Sequence, residues 1–343
     1  MLSPPLLPRN LEASLRDLDS KKPEMRAAAI EDLVRHARSD AAVREKAIPL
    51  ITKRLEDEQG LVRSAAAVAL GDLDATEAVT SLLVAVDDDA PHVRQMAINA
   101  LGEIGDKRAL PRLRRALKDP RPEVRYQTII ALPRIADESE ADDALFEAMS
   151  DADVAVVHIA LRVAEERLDN GRAAEHRLLT KARALVNDSR DNPQVALVAA
   201  ILLAKAGDER GHELVRRAAR GDKIGGRAPE KEDERAAVEL AGELGFEDLI
   251  PALEKRTWGA FRFVRDTCPF HARIALARMG HEKAIKEILG ELDSPRREVL
   301  EGAVVSAGRS RAFAAKAKLE SLRDKAKNDL DPELLREALA KLT

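Results

Sequence analysis

A single cysteine, Cys268, leaves this chain without the means to build an intrachain disulfide framework and fits a reducing compartment. Aromatic residues are nearly as scarce, with one Trp, one Tyr and six Phe, so strands rich in rings are not expected. No apolar run is long enough to span a bilayer. The opening "MLSPPLLPRNLEASL" has no basic segment, and prolines break its short apolar stretch. The expectation is therefore no signal peptide, no membrane anchor and a cytoplasmic protein. Charge of one sign is also lacking: the formal net charge is −4, so no global field draws the chain to nucleic acid or anionic lipid. What is abundant is charge of both signs, at 34%, together with alanine and leucine. That mixture favours amphipathic helices.

Three stretches superimpose without gaps: "DEQGLVRSAAAVALGDL" from Asp57, "DDAPHVRQMAINALGEI" from Asp88 and "DPRPEVRYQTIIALPRI" from Asp119. Their Val62, Val93 and Val124 are 31 residues apart. In the first copy Val62, Ala66, Ala69, Leu70 and Leu73 fall on one helical face. The leading Asp, followed by Pro91, Pro120 or Pro122, predicts a capped helix entrance. A second helix follows in "KAIPLITKRLED" (Lys46–Asp57), "RALPRLRRALKD" (Arg108–Asp119) and "DLIPALEKR" (Asp248–Arg256), with Pro49, Pro111 and Pro251 expected in its first turn. Weaker copies extend the pattern to nine helix pairs, placed near Met25, Val62, Val93, Val124, Val156, Val195, Asp233, Cys268 and Val299.

One such pair cannot bury its apolar face alone, and stacked neighbours complete the core. The expected fold is all-α: an α-solenoid of about nine antiparallel pairs forming a single array over 1–343. Its regular repeats span 20–150, divergent ones 151–329, and a capping helix 330–343 ("DPELLREALAKL" from Asp331).

The "VRSAAAVALG", "VRQMAINALG" and "A-I/L-P-x-L" segments resemble the HEAT repeat family, especially the short bacterial HEAT-like repeat also found in phycobilin lyases. The resemblance implies first helices on a convex side and second helices on a concave side.

Arg26, Arg63, Arg94 and Arg125 fill one slot of the repeat, with Asp57, Asp88 and Asp119 at the turns. The resemblance implies a structural ladder tying each repeat to the next. Beyond Arg125 the slot holds Val157, Ala196, Glu234, Pro269 and Leu300, so the ladder is expected to stop there.

The outward slot of the second helix carries Lys53, Arg115, Arg217 and Lys255, joined by Arg112, Arg216 and Arg220. A basic stripe of this kind, interrupted and set in an acidic chain, suits an acidic protein segment better than nucleic acid. A solvated charged face is the plainer reading of the same residues.

Half of the aromatic residues, Trp258, Phe261, Phe263 and Phe270, crowd into "RTWGAFRFVRDTCPFHAR" (Arg256–Arg273) around an insertion of about four residues. Trp258 and Phe261, beside Arg262, are candidate partner contacts, and packing between imperfectly stacked repeats is the alternative.

Chemistry is hard to find. Cys268 and His271 lack a third group, the seven histidines lack ligand spacing, and "RGDKIGGRAPEKEDE" from Arg220 lacks the strand and the Lys-Ser/Thr of a phosphate loop. That glycine-bearing stretch reads as a flexible insertion. The acidic run Asp137–Asp143 reads as turns, capping residues and solvated loop. No catalytic residue, metal or cofactor is expected, and the sequence points to a non-catalytic scaffold or adaptor. The fold resemblance leaves two alternatives: chromophore attachment as in phycobilin lyases, and DNA binding as in alkylpurine glycosylases of HEAT-like fold.

Overall fold

Helix α6 (Pro91–Ile104) shows how one repeat folds. Pro91 supplies a preset φ where no backbone donor is needed, and Val93, Ala97, Ala100 and Leu101 form the buried stripe. Gly105 ends the helix with φ +73°, its N–H closing on the Leu101 carbonyl. Asp106 then caps a 3-10 turn, Lys107–Ala109, that leads into the second helix α7 (Leu110–Ala116), which buries Leu113 and Ala116.

The computed structural model describes residues 10–259, 268–324 and 330–342. They contain twenty α-helices and no strand. In chain order α1 (Leu11–Asp17) precedes nine first–second pairs: α2 (Pro23–Ser39) and α3 (Ala41–Lys53), α4 (Gly60–Asp72) and α5 (Val79–Ala85), α6 and α7, α8 (Pro122–Ile135) and α9 (Glu138–Ala148), α10 (Val154–Asp169) and α11 (His176–Val186). They continue with α12 (Pro193–Lys205) and α13 (His212–Arg220), α14 (Lys231–Glu243) and α15 (Ile250–Trp258). The last are α16 (Pro269–Arg278) and α17 (Glu282–Glu291), then α18 (Arg297–Arg309) and α19 (Lys316–Asp324), followed by α20 (Pro332–Ala340). None is long and apolar enough to cross a membrane.

Two compact units, Met1–Leu178 and Leu179–Thr343, each have their own internal packing. In the N-terminal unit the first helices α2, α4, α6, α8 and α10 pack in succession, and second helices lie against them. Small residues let these backbones approach. A Cβ on Gly71 would meet the Ala100 Cα at 2.9 Å, and one on Gly102 would meet the Ala131 Cα at 3.0 Å. In the C-terminal unit α14 packs on α16 and α18 on α20, and the same device recurs where Gly308 faces Ala338. Helix α20 is capped by Asp331 and buries Leu335 and Ala338, while Glu333, Arg336 and Glu337 on its other side stay exposed.

Four local expectations are corrected. Pro111 and Pro251 do sit in first turns, but Pro49 lies inside α3, which starts earlier because Asp40 caps it by accepting from the Ala42 and Val43 N–H groups. Asp57, Asp88 and Asp119 are not the capping residues of α4, α6 and α8: Gln59, Ala90 and Arg121 hold those positions without side-chain caps. Each aspartate instead closes a tight turn by accepting from the N–H two residues on, at 2.9–3.0 Å.

The acidic run Asp137–Asp143 does hold a capping residue, but the rest of it is helix and not solvated loop. Asp137 caps α9, and the acidic first turn is stabilised by the helix dipole. Nor is the glycine-bearing insertion open: Ile224 and Arg227 exchange backbone hydrogen bonds of 2.9 and 3.0 Å across Gly225 and Gly226, both at positive φ, and Ile224 is buried. Gly225 also approaches the Ser189 carbonyl too closely for any side chain.

Candidate partner-binding surface on the second helices

The repeat register is held by arginine. Arg26 clamps Asp57 through two hydrogen bonds of 2.8 and 2.7 Å, and its remaining terminal nitrogen donates to the Ser20 carbonyl at 2.9 Å. Arg63 grips Asp88 while reaching back to the Asp57 carbonyl. Arg94 does the same with Asp119 and the Asp88 carbonyl, and Arg125 with Asp151 and the Asp119 carbonyl. Asp151 is hard to recognise in the sequence because its own repeat carries Val157 in place of the arginine.

Burial pushes the carboxyls of Asp57 and Asp88 upward, but hydrogen bonds from Arg26 and Arg63 and from backbone N–H groups outweigh it, so both lie below the ordinary carboxylate range. For Asp151 the hydrogen bonds from Arg125 dominate and also lower it. The four guanidinium groups are raised, chiefly by hydrogen bonds to their aspartates.

The C-terminal unit is tied by varied means. Arg183 donates to Asp208 at 2.6 Å, and Lys318 reaches Asp293 at 2.6 Å and the Leu289 carbonyl at 2.8 Å. The buried Arg256 caps the end of α13 through the Ala219 carbonyl at 2.9 Å and pairs with Glu234 at 2.7 Å.

With register fixed, the second helices of the N-terminal unit repeat their burial pattern every 31 residues. Ile51, Leu82, Leu113 and Ala144 face inward. Two residues further on, Lys53, Val84, Arg115 and Phe146 are all exposed. Val84 is 69% exposed and Phe146 37%, whereas the Arg115 side chain is 64% exposed. Val84 and Phe146 do not stand out by charge, but they lie 31 residues after Lys53 and Arg115, which places them in the same slot.

Lys53 makes no ion pair among the described residues. Arg112 and Arg115 share Asp87, Arg115 at 3.5 Å. Arg177 lies over the Phe146 ring, 5.5 Å from its centroid. The row therefore alternates cation and apolar group.

In the C-terminal unit, Arg216 and Arg220 both pair with Asp248, at 3.3 and 3.2 Å, and Arg216 also stacks on Phe246 at 3.6 Å. Arg217 donates to the Lys223 carbonyl at 2.6 Å. Lys255 is exposed and makes no ion pair among the described residues.

Trp258 ends α15 half-buried. Its indole N–H donates to both Glu287 oxygens, at 3.1 and 3.0 Å, and the Lys283 ammonium sits 4.0 Å from the ring centroid. Phe261 and Arg262 lie outside the described residues, as do Phe263, Asp266 and Thr267. Cys268 is buried in the core, and Nδ1 of His271 faces Glu239.

The first helices offer a different surface: a groove of about 650 Å³ lined by Leu61, Val68 and Met96, with Arg38 and Asp72 paired across it at 3.1 Å.

Residues 11–92 and 81–164 match the family of HEAT repeats. Those residues are similar to HEAT repeats, and the fold is an all-α, HEAT-like solenoid. YibA of E. coli superposes with a TM-score of 0.54 at 18% identity, covering 80% of this chain and 93% of that one. Kap121p superposes at 0.58 with 12% identity; the match covers 96% of this chain but 44% of Kap121p. The complex of CpcE and CpcF of phycocyanin lyase from Nostoc sp. PCC7120 aligns at 0.43 and 21% identity, over 71% of this chain and 90% of that one. No curated protein matches the chain in sequence.

Proposed function

We propose that this protein is a non-catalytic scaffold or adaptor that binds a protein segment on its second helices. The observation that carries the reading is the exposed row Lys53, Val84, Arg115 and Phe146 in the N-terminal unit. Stacked repeats present continuous surfaces, and aromatic and arginine side chains anchor such interfaces. Arg112, Arg216, Arg217, Arg220 and Lys255 would add attraction for an acidic partner, and Trp258, with Phe261 and Arg262, a further contact. Asp87 and Asp248, set among the arginines, weaken any field for the regular phosphates of a duplex and favour a protein partner.

The test is affinity capture from the native host with the chain and with Arg115→Glu/Arg217→Glu. Partners of the proposed surface are retained by the first and lost from the second at unchanged melting temperature. Equal retention of all partners would overturn the reading.

A further inference from the structure

We infer that residues 1–9 dock along the open edge of α2, with Arg9 paired to Asp32, and so close the N-terminal end of the row of first helices. The inference is independent of the binding-surface reading above.

The ladder arginines set the register. Six residues after Arg63, Arg94 and Arg125 come Ala69, Ala100 and Ala131, all buried. This slot receives the preceding first helix, since Ala100 lies against Gly71 and Ala131 against Gly102. Six residues after Arg26, the same slot of α2 holds Asp32. Helix α2 packs on α1, α3 and α4, and among the described residues no first helix precedes it. A slot on an open edge would be wet, yet Asp32 is only 7% exposed. Its carboxylate meets Arg35 at 2.7 Å, a side chain of the same helix that is itself 47% exposed and does not cover the edge from outside. Covering a carboxylate with apolar groups alone is costly, so a cation belongs in the cover.

Helix α1 covers part of the edge. Residues 18–22 join it to α2 in a short turn, so the two run antiparallel, and they pack on each other. The seven residues of α1 rise about 10.5 Å, against about 13.5 Å from Pro23 to Asp32. The chain therefore enters α1 near the height of Asp32, and α1 leaves the rest of α2, as far as Ser39, without a neighbour on that side.

What leads into Asn10 has the chemistry this edge needs. Arg9 comes next to the helix, then Leu7, Leu6 and Leu2, interspersed with Pro8, Pro5 and Pro4. Eight extended residues reach about 26–29 Å, more than the roughly 10 Å of α2 beyond Asp32. Arg9 supplies the cation, the leucines supply apolar cover for the last turns of α2, and the prolines reduce the entropy lost on docking. Terminal units of a stacked array need such a closure, and at the other end α20 provides it by turning Glu333, Arg336 and Glu337 outward.

The test places a photo-crosslinking amino acid at Leu6 of the full chain and maps the adducts by mass spectrometry after illumination. Adducts within one chain, on α2, are expected. Their yield should fall by roughly half or more in Asp32→Asn and in Arg9→Gln, because each breaks a mostly buried ion pair. Arg9→Gln lies outside every helix, so it keeps the test open if Asp32→Asn disturbs folding. Adducts that join two chains, adducts confined to other helices, or no adducts overturn the inference. So does a yield on α2 that neither variant changes.

Discussion

Arg94 holds Asp119 of the following repeat through two parallel hydrogen bonds of 2.8 Å while its third nitrogen binds the Asp88 carbonyl of its own turn at 3.0 Å. A single side chain thus fixes both the turn that starts its repeat and the offset to the next. A planar guanidinium is needed for this, because a point-charge ammonium cannot fork across a carboxylate and also reach back to a carbonyl.

Removing that clamp leaves a mostly buried carboxylate unpaired. Arg94→Ala should cost about 3–5 kcal/mol, and Arg94→Lys less but still measurably. Chemical denaturation midpoints check both. A loss within about 0.5 kcal/mol for Arg94→Ala would show that the pair does not govern stacking.

The aspartates of the ladder also set an acid limit. Unfolded aspartate titrates near pH 3.9, and the folded Asp57, Asp88 and Asp151 hold protons less tightly. Their stabilisation is therefore complete above about pH 4 and is lost as pH falls through their lower folded values. Melting temperature against pH should stay flat from neutrality to about pH 5 and drop below about pH 4. Asp88→Asn should flatten part of that drop.

The first-helix seam predicts opposite responses at two glycines. A Cβ at Gly102 would lie 2.7 Å from the Ala131 Cβ, so Gly102→Ala should cost about 1–3 kcal/mol through overpacking. Gly290, within α17, has nothing near its would-be Cβ, and Gly290→Ala should be neutral or stabilising by up to about 1 kcal/mol. Differential thermal melts of the two variants test this, and equal shifts would contradict it.

Much of the fold was legible because one period of 31 residues carries both the apolar face and the turn chemistry. Val62, Val93 and Val124 pointed to the first helices, and the "A-L-P-x-L" at Ala109–Leu113 to the second. Local starts were less legible where a distant neighbour decides them. Asp57 resembles a cap in sequence, but Arg26 of the preceding repeat claims its carboxylate. The insertion at Gly225 and Gly226 looks flexible by composition, yet Ile224 finds a core that only the folded C-terminal unit supplies. On the candidate surface the cations were evident from charge, whereas Val84 and Phe146 look like core residues until their burial is known.

Val84 separates binding from stability most cleanly. Because its side chain is largely in water, Val84→Asp should leave the melting temperature within the range of ordinary surface substitutions, about 0.5 kcal/mol, while it abolishes partner capture. Loss of both together would mean that Val84 serves the fold.

The central claim is that recognition belongs to the second helices. It is tested most directly by placing a photo-crosslinking amino acid at Val84 in one variant and at Val68, in the first-helix groove, in another. Illumination in the native host followed by mass spectrometry should give defined partner adducts from position 84 and none from position 68. Adducts from position 68 alone would contradict the account and move the binding surface to the opposite helices.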